Sequence, residues 1–110
     1  MKETFLIKHA VGGRTFVDTA KQSVPYQIHQ DGEEWLFEVQ APLDEAMQEL
    51  LAWKDELNVF VFREFENEPT LKIWYYVKQG SVQYNEQKAA LTFAASSKLE
   101  YVPDKFSGNY

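Results

Sequence analysis

Apolar and polar residues alternate with a period of two along most of this chain, and one stretch in the middle breaks the rule. Residues 4–10 set Phe5 and Ile7 on one face of an extended segment and Leu6 on the other. Gly12 and Gly13 tolerate the positive φ angles of a tight turn, after which 14–19 returns as a second strand. Beyond a connector at 20–25, Val24, Tyr26 and Ile28 alternate with Gln27 and His29. Asp31-Gly32 then reads as a hairpin turn, and 34–39 pairs back with Trp35, Phe37 and Val39 on one side.

Between 42 and 57 the period lengthens. Leu43, Ala46, Met47, Leu50, Trp53 and Leu57 recur at spacings of three and four, which gathers them on one face of an α-helix. Pro42 suits the first helical position, where its missing N–H costs no bond, and Asp44 and Glu45 suit the positive end of the helix dipole. The Trp53-bearing face is expected to close one side of a curved sheet.

Asn58 reads as the helix stop, and alternation resumes after it. Residues 59–62 are apolar on both faces, as in a central strand covered on both sides. Glu64, Glu66 and Glu68 lead out to water, and 67–70 with Pro69 makes a turn. A strand at 71–78, a turn at Gln79-Gly80, a shorter strand at 81–85 and a turn at 86–88 follow. Residues 89–95 combine helix-favouring alanine with a Leu91/Phe93 alternation, and strand is the reading adopted. Residues 99–102 are expected to add a short edge strand, and 104–110 to form a loose tail that Phe106 and Tyr110 can tie down. The order ββββ-α-ββββ predicts one α+β domain over 1–110, a mainly antiparallel sheet of about seven or eight strands carrying one amphipathic helix at about 43–57.

Composition narrows what such a domain does. Apolar residues make up 45% and aromatics 15% of the chain, which argues against disorder. There is no cysteine, so disulfides and thiolate metal sites are excluded. The first residues hold too short an apolar run for a signal peptide, and no run is long enough for a membrane span, so a soluble cytoplasmic protein is expected. The net charge of −6 is concentrated. Residues 31–68 hold twelve acids against Lys54 and Arg63, a net of −10, while the segments on either side are each +2. Such a field repels nucleic acid and attracts basic surfaces.

Catalytic chemistry finds little support. His9 and His29 each sit among strand residues, and no metal-loop, nucleophile-elbow or phosphate-loop spacing occurs. A small enzyme with a histidine-centred site requires His9 or His29 to meet a carboxylate or serine in a concave pocket. Glu64 and Glu66 share a strand face, and Asp31, Glu33 and Glu34 share a hairpin, but acids at strand ends commonly serve solubility. No metal or other cofactor is expected.

Two surfaces remain. In 71–78 the period of two sets Leu71, Ile73, Tyr75 and Val77 on one face and Lys72, Trp74, Tyr76 and Lys78 on the other. Aromatics flanked by cations suit a peptide, a small ligand such as a sugar, or stacked single-stranded bases, although the basic cluster that nucleic acid needs is absent. The second surface is the acidic helix face with Asp44, Glu45 and Glu49, fit to steer a basic partner. The expectation is a non-enzymatic protein-binding or assembly module with a protein partner or a second copy of itself. Its size is also that of many accessory proteins of phages and mobile elements.

Overall fold

The computed structural model describes residues 1–102, so the expected tail at 104–110 lies outside the described residues. The fold is α+β, with eight antiparallel strands and one short helix. The elements are β1 (Lys2–His9), β2 (Thr15–Asp18), β3 (Tyr26–Asp31), β4 (Glu34–Gln40), α1 (Glu45–Ala52), β5 (Leu57–Phe65), β6 (Glu68–Val77), β7 (Gln83–Asn85) and β8 (Ala90–Tyr101). They pair in the order β2-β1-β5-β6-β8-β4-β3, with β7 on β8 beside this path.

The sheet curls on itself. Four strands separate β1 from β3 in the pairing order, yet Tyr26 of β3 stacks on Phe5 of β1 with ring centroids 4.5 Å apart. The concave side of the curl is the core. Phe5 and Ile7, Val59 and Val61, Ile73 and Tyr75, Leu91 and Phe93, and Phe37 and Val39 all point into it, joined by Met47 and Leu50 of α1. Phe37 is its centre, stacked on Phe93 at 4.6 Å and edge-on to Tyr75 at 4.9 Å.

The helix is shorter than its apolar spacing implies. It is preceded by Asp44, whose carboxylate accepts a hydrogen bond from the Met47 N–H at 2.9 Å, so Asp44 is the N-cap and Pro42 lies outside the helix. It ends at Ala52, and Trp53 is the C-cap. Trp53 is 43% exposed and Leu43 is also exposed, so neither belongs to the buried helix face. Leu57 is buried, but as the first residue of β5. Asn58 is therefore inside a strand and is not the helix stop. The three-and-four pattern ran on because a helix face and the start of an inward-facing strand both supply apolar residues.

At the β5–β6 turn the strand boundaries move outward, whereas β2 and β7 are shorter than expected. Glu64 lies within β5, and Glu68 and Pro69 open β6, so the turn reduces to Glu66 and Asn67, the latter at φ 64°. The β3–β4 hairpin turns on Gly32 and Glu33, with Gly32 at φ 62° in the first central position that a type II′ turn reserves for glycine.

The larger change is at β8, one strand of twelve residues and not a strand at 89–95 plus an edge strand at 99–102. Its first half pairs with β4 and β7, its second half with β6. Tyr76 pairs with Ser97 but Val77 pairs with Ala95, so Ser96 is an extra residue, a bulge. The bulge reverses the alternation. Leu91, Phe93 and Ala95 point inward before it, whereas Lys98 and Glu100 take the inward positions after it, opposite Tyr75 and Ile73.

Candidate functional site

Inward burial of one residue set on β1, β5, β6 and β8 leaves the alternate set on the outer face. Cross-strand pairing arranges that set in rows. One row runs Leu6–Phe60–Trp74–Leu99 and the next Thr4–Phe62–Lys72–Tyr101, with Tyr76 beside Ser97 at one margin. The rings form a connected layer. Phe60 lies 5.8 Å from Trp74 and 6.5 Å from Phe62, and Trp74 lies 4.9 Å from Tyr76. Among the described residues no helix or second sheet covers this face, because α1 packs on the core side. Tyr76 is 38% and Leu99 46% exposed.

Lys72 sits within the rings. Its ammonium lies 4.4 Å from the Phe60 centroid, 5.3 Å from Phe62 and 5.5 Å from Tyr101, within the range of cation–π attraction. The Trp74 Nε1–H is buried and has no acceptor. Such a donor costs about 1–3 kcal/mol relative to a paired one.

The structure thus brings Lys72, Trp74 and Tyr76 together on one face, as the period of two implied. Lys78 lies just past the end of β6 and pairs with Glu34 at 2.9 Å. Phe60 and Phe62 are the contributors that the sequence reading placed under a second layer. The usable signal was their phase: phenylalanine alternates with valine in β5 as Trp74 and Tyr76 alternate with Ile73 and Tyr75 in β6.

The acidic helix surface is more occupied than its sequence implies. Asp44 spends its carboxylate on the N-cap, and Glu49 pairs with Arg14 at 2.7 Å, fastening the β1–β2 turn to the helix. Glu45 and Gln48 are exposed.

The two histidines are accounted for locally. His9 accepts from the Gly12 N–H on Nδ1 at 3.3 Å and faces Glu56 Oε1 through Nε2 at 3.3 Å, while its ring stacks on Trp53 at 4.9 Å. Both ring nitrogens have partners, and the ring acts as a clamp between the β1–β2 turn and the helix end. His29 is exposed, with Nε2 3.1 Å from Gln27 Oε1. It borders an outer-face groove of about 380 Å³ with Leu36, Glu38, Ser81, Gln83 and Ala94. Ser81 Oγ in that groove hydrogen-bonds Lys78 O at 2.6 Å and accepts from the Ala94 N–H at 3.1 Å, so it serves the β6–β7 connection.

A third polar group closes the curl. Glu3 accepts from the Tyr26 hydroxyl at 2.5 Å and from Arg63 Nε at 3.1 Å, tying β3 to β1 and β5. Burial raises the Tyr26 phenol above its usual value, and its bond to Glu3 and the Glu3 charge raise it further. Burial also raises Tyr75. Between helix and sheet, a cleft of about 100 Å³ bordered by Phe16, Val24 and Met47 is small against the 300–1,000 Å³ typical of ligand pockets. Among the described residues no group of three His, Asp or Glu side chains is placed to hold a metal, and no helix is long and apolar enough to cross a membrane. No family model matches the chain, and neither a curated protein nor a solved structure matches it.

Proposed function

We propose that this domain is a protein-binding module whose working surface is the outer aromatic face of the sheet. The observation that carries the reading is the pair of cross-strand rows, Leu6–Phe60–Trp74–Leu99 and Thr4–Phe62–Lys72–Tyr101, with no described element over them. Joined aromatic and aliphatic area is the composition of protein interface cores. Single-stranded nucleic acid would need ring faces on which bases stack. Here Lys72 lies over Phe60 and Phe62, and neighbouring rings are tilted by 38–44°, which favours side-chain insertion over base stacking.

The test is affinity capture with the tagged chain from its native host, scored for proteins other than the native copy of the chain itself. Tyr76→Ser with Leu99→Ser is expected to lose the captured protein, because both residues are exposed on the face and neither is a core residue. Glu45→Lys with Glu49→Lys is expected to retain it. Equal recovery of the same protein by both variants would end the proposal.

A further inference from the structure

The outer face and the helix side of this protein differ in charge as well as in chemistry. Lys2, Lys8 and Lys72 lie at outer positions of β1 and β6, and among the described residues none has a carboxylate within ion-pair range. Glu64 and Asp18 are the acids placed among them, opposite Lys2 and Leu6 in register. The aromatic face thus carries three lysines against two acids, on a chain whose net charge is −6.

The helix side is its complement. Trp53 and Leu43 are large apolar residues exposed at the two ends of α1; Glu45 lies two residues from Leu43, and Asp55 two residues from Trp53 with Lys54 between them. Neither Asp55 nor Glu45 has a basic partner among the described residues. The Trp53 ring is already held by the stack on His9, so its exposed part is presented in a fixed position. A rigid aromatic anchor loses little conformational freedom on binding.

We infer that the occupant of the aromatic face is a second copy of this chain, which inserts the Trp53 and Leu43 ends of its helix and sets Glu45 and Asp55 against the face's lysines. This rests on the reading of the outer face as the working surface and names its partner. The two surfaces lie on opposite sides of the sheet, so one molecule cannot satisfy both by itself. The contact is head-to-tail, using different patches on the two copies, and each added copy presents a fresh face.

The experiment is sedimentation velocity on the full chain and two charge variants, each first checked for an unchanged thermal melt. Leu99→Asp puts an acid on the exposed face; Glu45→Lys with Asp55→Lys reverses the helix side. The wild-type chain is expected to form a concentration-dependent series of oligomers. Their association constant should fall on the order of tenfold as salt rises from about 0.05 M to about 0.5 M and screening shortens. Each variant alone should stay monomeric. The equimolar mixture should yield a one-to-one dimer and stop there, because the intact face of one variant meets the intact helix side of the other.

A wild type that stays monomeric at every concentration overturns the inference. So does a helix-side variant that still dimerises, which would mean face-to-face packing, or a mixture that does not pair. Capture of a different protein by a monomeric wild type, lost with Tyr76→Ser and Leu99→Ser, would refute the second copy while sparing the binding role of the face. Saturable quenching of tryptophan fluorescence by a single-stranded oligonucleotide, lost in Leu99→Asp, would refute both.

Discussion

Four strands of this sheet carry two faces of opposite design. On the inner side, Phe5–Val61–Ile73 and Ile7–Val59–Tyr75 are rows of fully or almost fully buried residues packed under the helix and the far strands. On the outer side, Leu6–Phe60–Trp74–Leu99 uses larger rings, and they remain partly open to solvent. The inner rows complete their packing within the chain. The outer rows hold apolar area that the described fold does not use, and they include an indole donor without an acceptor. Apolar content alone therefore does not mark a core; what distinguishes the two faces is whether another element meets the side chains.

The sharpest way to break this contrast is to cut one ring from each side. Phe37→Ala removes the ring between Phe93 and Tyr75 and is expected to cost about 3–5 kcal/mol in urea unfolding, a large part of the stability of a domain this size. Trp74→Phe keeps a ring and deletes the unpaired N–H, so its expected change is under about 1 kcal/mol in either direction. A Trp74→Phe loss as large as that of Phe37→Ala would show that the outer face is core after all.

The closure of the curl gives a smaller effect with a pH signature. Tyr26→Phe removes the hydroxyl that binds Glu3 and is expected to cost about 1 kcal/mol at neutral pH. The folded-state phenol is raised above its unfolded value, so its stabilising contribution is complete below the unfolded value of about 10 and is lost as pH climbs past it. Unfolding midpoints of the wild type should therefore fall above about pH 10, and those of Tyr26→Phe should fall less. Tyr75, raised as well by burial, keeps some slope in the variant. Parallel curves for the two proteins would mean that neither burial nor Glu3 holds the Tyr26 proton.

How much of this was readable beforehand depended on where local pattern and packing agree. The period of two separated Ile73 and Tyr75 from Trp74 and Tyr76 correctly, because β6 is regular through that stretch. It failed at β8, where the Ser96 bulge shifts the phase and makes one strand resemble two. It also overextended the helix, since Leu57 fits both a helical spacing and the buried start of β5. Phe60 and Phe62 looked covered because an apolar outer face and an apolar second interior have the same composition. Which acids and bases pair, such as Glu3 with Arg63 across sixty residues of sequence, follows only from the curl.

The smallest effects bear on the acids of the helix, which the proposed head-to-tail contact needs as surface and the fold needs as structure. Asp44 belongs to the fold. Asp44→Ala leaves the Met47 N–H without its acceptor and is expected to cost about 1 kcal/mol, detectable as a lower urea midpoint. Glu49 lies between the two roles. Its bond to Arg14 is short, but both side chains are substantially exposed, at 33% and 55%, where solvent and salt weaken the attraction. Glu49→Gln keeps the length and polarity of the side chain and removes the charge, so the expected loss is about 0.5 kcal/mol or less and should vanish near 1 M salt. A larger, salt-resistant loss would mean that the Arg14–Glu49 contact anchors the β1–β2 turn on the helix through packing, and that the helix side is fixed in place more firmly than its exposed charges require.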